Sequence, residues 1–345
     1  MKVGIVSSSV PFIDGGYRNI VSWLTSQLAA AGHEVEEIYI PFSDEPHNLF
    51  PQLAAFRMID LTDRADLIIC IRPPSHLVIH PRKVVWFIHH IRIFYDLWHT
   101  QYRPFADTAA TRATRDALVK VDTKALAEAT KLFTVSRTIT KRIKDFNGID
   151  STVLYPPLHE PERYQNLGTG DEIVYVSRLE EHKRQHLLIE ALRFSTSGAK
   201  VRLLGTSGGS EYGVHLKTLA AEKGIGDRLL LEDAWVQERD KVRYFGEALA
   251  VAYVPIDEDA YGYPTLEGAA ASKAILTATD SGGTVEFVQD GVQGYVAEPT
   301  PEALGRAIDA LYNDRARTTQ MGLAAHARVG ELGITWAAVL EGLVG

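Results

Sequence analysis

The nine residues DAYGYPTLE, Asp259 to Glu267, set two carboxylates eight positions apart across a Gly–aromatic–Pro turn. Pro264 suits the first position of a helix, where its missing N–H removes no hydrogen bond. The backbone N–H groups of Thr265 and Leu266 would then point freely, an arrangement that receives a phosphate. Glu267, one turn into that helix, can accept hydrogen bonds from a vicinal diol such as a ribose. The same spacing also fits a surface loop followed by a capped helix. A second segment, VSRLEEHKRQHLLIEAL (176–192), puts Arg178 at a strand end and Lys183 five residues on, where a helix begins. Cations in a first helical turn oppose the helix dipole by roughly 0.3–1 kcal/mol each. Lys183 and Arg184 in that position therefore ask for an anion. An arginine fork with a lysine point charge suits a diphosphate. Pairing with Glu180 and Glu181 is the other use for these charges.

Both segments follow short apolar runs that read as strands. KVGIVSS (2–8), VEEIYI (35–40), DLIICI (66–71), VVWFIHH (84–90) and KLFTVS (131–136) occur in the first half, with helical patterns to about Ala31, around 112–130 and at 137–146. Strands alternating with helices imply a mostly parallel sheet covered on both faces. The stretch VLYPPLHEPERYQNLGTGDE (153–172), with three prolines and two glycines, has no helical period and reads as a linker. A second alternation follows, with strands EIVYVSR, KVRLLG, RLLLED, LAVAYVPI, AILTA and QGYVA, and helices near 184–194, 213–223, 238–247 and 264–271. The fold class expected is thus α/β, with two doubly wound Rossmann-like domains facing across a cleft. The expected division is 1–155, a linker at 156–171, 172–330, and a C-terminal helix at 331–345 packing back on the first domain. Ligands of such folds bind outside the carboxyl ends of the strands.

Composition narrows the class. The 345 residues are 46% apolar and 23% charged, enough for two cores and unlike a disordered, collagenous or disulfide-built chain. The single cysteine, Cys70, sits in an apolar run and fits a reducing compartment. No apolar run approaches the ~18 residues of a membrane span. The start MKVGIVSSSVPF reads as a first strand rather than a signal peptide. The net charge of −8 speaks against nucleic acid as a partner. Residues 1–150 carry 18 basic and 16 acidic side chains, so the acidity lies in the second half. The more basic first half suits peripheral contact with an anionic membrane surface, or simply a solvated face. A cytoplasmic enzyme is the class expected.

Taken in order, PFIDGGYRNIVSWLTSQLAAAGHEV, WFIHH, SRLEEHKRQ, LLGTSGG, DAYGYPTLEGAAASKAIL and TDSGGTVEFVQDGVQGYVAEP resemble the retaining glycosyltransferases of family 4, which have the two-domain GT-B architecture. The match spans nearly the whole length. HHIRIFYDLW and LYPP resemble a branch common in bacterial surface-polysaccharide assembly. The resemblance implies transfer of a sugar from a nucleotide-diphosphate-sugar donor, built on UDP or GDP, to a saccharide, lipid-linked or other hydroxyl acceptor, with retention at the anomeric carbon. By it, Arg178 and Lys183 grip the donor pyrophosphate and Glu267 holds the ribose. The acidic residue eight before Glu267 meets the transferring sugar, with the backbone around Gly262 and Tyr263. The family has Glu where this chain has Asp259; adjacent Glu258 takes the role if the loop carries a bulge. Near Asp233 and Ala234 the family commonly has Gly, at a strand end lying near the base.

In the first domain, Gly15 and Gly16 precede a helix and permit close backbone approach to the donor. The resemblance puts His89 beside the reacting sugar, with His90 structural, or the two reversed. Arg92, Tyr95, Asp96 and Trp98 are an acceptor-side set or ordinary packing. Asp257-Glu258-Asp259 is literally the D-x-D that other glycosyltransferase folds use for a metal. In this architecture the Arg/Lys pair takes the metal's place, so no essential metal or other cofactor is expected. Two rival readings share the sequence features: a nucleotide-sugar 2-epimerase and a non-catalytic nucleotide-sugar binding protein.

Overall fold

A computed structural model of the chain describes residues 1–11, 16–222 and 225–345. They divide into two compact units, Met1–Pro156 with Thr335–Gly345, and Pro157–Ile334. In the first unit the elements are β1 (Lys2–Ser9), α1 (Gly16–Ala30), β2 (Glu34–Pro41), α2 (Leu49–Arg57), β3 (Leu67–Cys70), β4 (Lys83–Phe87), α3 (Ala109–Ala127), β5 (Lys131–Thr134), α4 (Arg137–Asn147) and β6 (Thr152–Val153). The six strands are all parallel, in the order β2-β1-β3-β4-β5-β6. A parallel sheet covered on both faces needs apolar side chains at every position rather than alternate ones. LIIC of β3 and KVVWF of β4 are buried throughout. Even Lys83 is buried there, because its ammonium donates to the His76 carbonyl (2.8 Å) and to Glu128 (3.1 Å).

The second unit holds β7 (Glu172–Val176), α5 (Gln185–Ala191), β8 (Lys200–Gly205), α6 (Glu211–Glu222), β9 (Leu229–Asp233), α7 (Glu238–Glu247), β10 (Ala250–Ala252), α8 (Tyr263–Ala270), β11 (Ala274–Ala278), α9 (Thr284–Phe287), β12 (Gly294–Ala297), α10 (Pro301–Asn313) and α11 (Arg315–Glu331). Its strands are again all parallel, in the order β12-β11-β10-β7-β8-β9. The chain reverses its direction of winding between β7 and β10, which pair at Val174 and Val251. Such a switch point opens a crevice at the carboxyl ends of the two strands. The α/β class with two doubly wound sheets is therefore as expected.

The segment read as a linker runs along the second unit, its backbone tied down. Leu167 N–H donates to the Gly246 carbonyl (2.8 Å) and Gly170 N–H to that of Glu247 (2.9 Å), while Lys273 donates to Asn166 Oδ1 (2.9 Å). The last helix, α12 (Trp336–Val344), is capped by the Thr335 hydroxyl, which accepts from Ala338 N–H, and it groups with the first unit. Lys131 Nζ there donates to the Gly342 and Gly345 carbonyls, at 2.9 and 3.1 Å. Among the described residues, no helix is long and apolar enough to cross a membrane.

Candidate active site

The loops after β7 and β10, on the two sides of the switch point, carry Arg178, Lys183 and Asp259 of the residues predicted from the sequence. Lys183 closes a 3-10 turn (Glu181–Lys183) rather than opening an α-helix, and Arg184, at φ 56°, caps α5. The expected conflict with a helix dipole is thus answered within the protein. Lys183 Nζ donates to Glu258 Oε2 and to the Tyr253 hydroxyl (2.9 Å). Arg184 makes a two-pronged pair with Asp280 (2.6 and 2.8 Å) and donates to the carbonyls of Val254 and Pro255. Arg184 is a strut between the two loops. Lys183 is the cation that faces the acidic loop.

That loop is held at its backbone. Ile256 N–H donates to the His182 carbonyl (2.8 Å), Asp257 N–H to Asp280 (2.9 Å), and Gly283 N–H to Glu258 (2.8 Å). A Cβ on Gly282 would lie 2.4 Å from the Glu258 carbonyl, so the paired glycines of TDSGG are what let this crossing happen. Of the three acidic residues, Glu258 is the one joined to Lys183, while Asp257 adopts φ 43°. Asp259 is half-buried, and its charge acts on the Tyr253 phenol. Burial pushes that phenol well above its ordinary pKa, Glu258 and then Asp259 push the same way, and Arg178 opposes them. Lys183 and Glu258 hydrogen-bond to that phenolic oxygen, while Asp259 and Arg178 act on it through their charges. Arg178 itself is exposed and pairs with Glu180 at 2.5 Å, the bland use of its charge. Gln185 Nε2 steadies that stretch by donating to the Arg178 carbonyl (2.9 Å).

α8 begins at Tyr263, so Pro264 is its second residue, one later than expected. Gly262, at φ 71°, precedes it; a Cβ there would lie 2.1 Å from the Tyr253 ring. Of the two N–H groups expected to point freely, that of Thr265 donates to the Gly262 carbonyl (3.1 Å), a correction to the sequence reading. Its hydroxyl is buried with no hydrogen-bond partner among the described residues. Leu266 is core. Glu267 is buried and accepts from Lys241 Nζ (2.7 Å) and the Tyr164 hydroxyl (2.9 Å); Lys241 and Tyr164 also reach Glu238 (2.9 and 3.1 Å). Burial would lower the Lys241 pKa, but Glu267 and Glu238 outweigh it and leave it raised. At the end of β9, Asp233 is bound by Lys217 (2.8 Å) and by the N–H and hydroxyl of Ser207.

In the first unit, Gly16 is the exposed first residue of α1, while Gly15 lies outside the described residues. β4 stops at Phe87, and the two histidines follow it. His89 is half-buried, its Nδ1 2.6 Å from the His90 carbonyl. His90 is buried, with Nε2 2.9 Å from Asn147 Oδ1, and burial drags its pKa down to about 4. Tyr95 and Trp98 are corrected to core residues, 1% and 2% exposed. The Tyr95 hydroxyl donates to buried Asp122 (2.6 Å), and Trp98 lies under the guanidinium groups of Arg103 and Arg115. Apolar packing and sugar stacking draw on the same residue types, which is why the sequence left the two open. Arg92 pairs with Asp96 (2.7 Å), and Arg142 approaches the same carboxylate at 3.6 Å.

Tyr253, Tyr164 and Lys241 are the site residues that sequence reasoning missed. Tyr253 sits in the apolar run LAVAYVPI and reads as core, while the other two lie 103 and 26 residues from Glu267. Among the described residues, no His, Cys, Asp and Glu side chains form a group able to hold a metal ion.

Residues 160–328 match the family described as glycosyl transferases group 1. D-inositol 3-phosphate glycosyltransferase of Nocardia farcinica is 30% identical over 241 residues, 64% of this chain and 52% of that protein. Human alpha-1,3/1,6-mannosyltransferase ALG2 is 26% identical over 211 residues, 54% of this chain and 50% of that protein. The chain spans about half the length of these curated relatives. Among solved structures, Anabaena Alr3699/HepE in complex with UDP has a TM-score of 0.75 over 99% of both chains at 15% identity, a likeness of fold.

Proposed function

We propose that the chain, whose residues 160–328 match the group 1 glycosyl transferases, moves a sugar from a nucleotide-diphosphate-sugar donor to a hydroxyl acceptor, with retention at the anomeric carbon. The observation that carries the proposal is the cluster of Lys183, Tyr253 and Glu258 in the loops on the two sides of the switch point of the second sheet. As the bond to the leaving phosphate breaks, negative charge builds on the diphosphate. Lys183 is already fixed where that charge forms, and such preorganised groups stabilise a transition state more than a ground state. Arg178 leaves its exposed pair with Glu180 to add a second cation. The buried Thr265 hydroxyl gives the phosphate a further donor at the start of α8. These groups supply the charge that a metal would, so turnover needs no essential metal.

Glu267 accepts from the ribose hydroxyls, oriented by Lys241 and Tyr164. Asp259 meets the transferring sugar. The acceptor is a saccharide, lipid-linked or other hydroxyl compound, in polysaccharide or glycoconjugate assembly; the relative from Nocardia farcinica is named for D-inositol 3-phosphate. The enzyme acts in the cytoplasm, in peripheral contact with the membrane when its acceptor is lipid-linked.

The carboxylates divide the labour, and two variants test the division. Glu267→Gln should weaken free nucleoside diphosphate and intact donor about tenfold or more, the loss of one charge-assisted contact of ~1.5–3 kcal/mol. Asp259→Asn should leave diphosphate affinity within about twofold while kcat and kcat/KM fall together, about tenfold or more, as for a contact made in the transition state. Calorimetry and steady-state rates on both variants decide it. Unchanged turnover in Asp259→Asn would remove Asp259 from the reaction.

A further inference from the structure

Tyr253 has no place in the motifs that mark the site, yet its hydroxyl is the point on which the site is built. Its oxygen lies 2.9 Å from Lys183 Nζ and 3.0 Å from Glu258 Oε2, and Lys183 also donates directly to that carboxylate oxygen. A phenol has one proton to give and lone pairs with which to receive. The triangle therefore closes in one way: the ammonium donates to the phenol and to the carboxylate, and the phenol donates to the carboxylate.

The three members differ in freedom. The Tyr253 ring is buried, meets Tyr175 edge to face at 5.7 Å, and lies against Gly262 so closely that a Cβ there would fall 2.1 Å from it. Thr277 Oγ1 holds its carbonyl (2.7 Å). The Lys183 backbone is likewise fixed, since the Tyr175 hydroxyl donates to its carbonyl (2.6 Å), but its side chain is long and unbranched. Glu258 lies in the loop between β10 and α8, with its side chain partly exposed. An anion reaching Lys183 meets Glu258 as a competitor, because two anionic groups on one ammonium repel each other. The phenol has no such conflict. Burial and the facing carboxylates keep it protonated, so it remains a neutral neighbour of the lysine.

We propose that Tyr253 is a positioning residue that holds the Lys183 ammonium while its anionic partner changes from Glu258 to the diphosphate of an incoming nucleotide. The inference rests on the diphosphate reading of the site given above. It makes Glu258 a counter-ion that binding must displace, and Tyr253 the contact that persists through the exchange.

Calorimetric titration with UDP and with GDP tests this on Tyr253→Phe, Glu258→Gln, the double variant and Lys183→Met. Tyr253→Phe keeps the ring and its packing, so its melting temperature should stay within a few degrees of wild type while nucleotide affinity falls about tenfold. Glu258→Gln keeps the shape and removes the competing charge, so affinity should rise about threefold or more. A purely structural role for Glu258 gives no such gain. In the double variant the tenfold loss should recur relative to Glu258→Gln, because the phenol acts on Lys183 and not through Glu258. Unchanged or weaker binding in Glu258→Gln would overturn the exchange, and wild-type affinity in Tyr253→Phe would overturn the positioning role. Wild-type affinity in Lys183→Met would instead overturn the diphosphate reading, and the inference with it.

Discussion

Replacing Lys183 by methionine should lower the rate of sugar transfer about 100- to 1,000-fold, the largest effect expected of any single substitution on activity. Loss of one preorganised donor to a developing negative charge typically removes ~2.7–4 kcal/mol of transition-state stabilisation. Lys183 is expected at that end of the range because it is buried and already aligned by Tyr253 and Glu258, so little of its effect is lost to solvent screening. Nucleoside diphosphate affinity should fall as well, but by less, about tenfold. Arg178→Ala should act in the same direction and more weakly, since its guanidinium is exposed and already paired with Glu180. Steady-state rates at saturating donor check the order. A Lys183→Met protein that folds normally and retains transfer within threefold of wild type would remove this lysine from the chemistry.

The largest effect on stability belongs to its neighbour. Arg184→Met should destabilise the second unit by about 3 kcal/mol, near the lower end of the range for breaking a buried ion pair. The guanidinium is buried and makes four hydrogen bonds, to Asp280 and to the carbonyls of Val254 and Pro255. Methionine leaves both carbonyls without this partner. Asp280 is half exposed and regains water, which keeps the cost from the upper end of the range. For a unit of this size the melting temperature should drop by about 6–12 °C. Denaturant unfolding followed by tryptophan fluorescence measures it. A loss under 1 kcal/mol would mean that Arg184 does not tie the loop after β10 to that after β11.

The sheets were legible in the sequence because a doubly covered parallel sheet leaves continuous apolar runs, as in LIIC, KVVWF and AILTA. α2 was not: LFPQLAAFR is short and carries a proline in its first turn, although Leu49, Leu53 and Phe56 form its buried face. Lys183 and Glu267 were legible because cations after a strand end, and a carboxylate one turn into a helix with proline in its first turn, are local patterns. Their partners were not. Lys241 lies on α7 and Tyr164 in the segment leading to β7, and only the tertiary fold brings them to Glu267. Tyr253 was hidden for a different reason, since a tyrosine at the end of a buried strand has the same appearance in sequence whether or not its hydroxyl has work to do. The contact of Glu258 with Lys183 was hidden as well, since the loop after β10 takes its course from tertiary crossings such as that of Gly282 over Glu258.

The most direct measurement is incubation of the purified chain, in excess chelator, with a panel of radiolabelled nucleotide sugars, following the sugar by chromatography. The expected result is that one donor loses its sugar, to added acceptor or slowly to water, with stoichiometric release of nucleoside diphosphate, and that Lys183→Met slows the release about 100-fold or more. Recovery of the sugar still attached to its nucleotide but epimerised would make the protein an isomerase. Tight binding of a donor without turnover would make it a binding protein. Release that stops with chelator and returns with manganese or magnesium would transfer the role of Lys183 and Arg178 to a metal. Any of these three results would contradict metal-independent sugar transfer from a nucleotide donor.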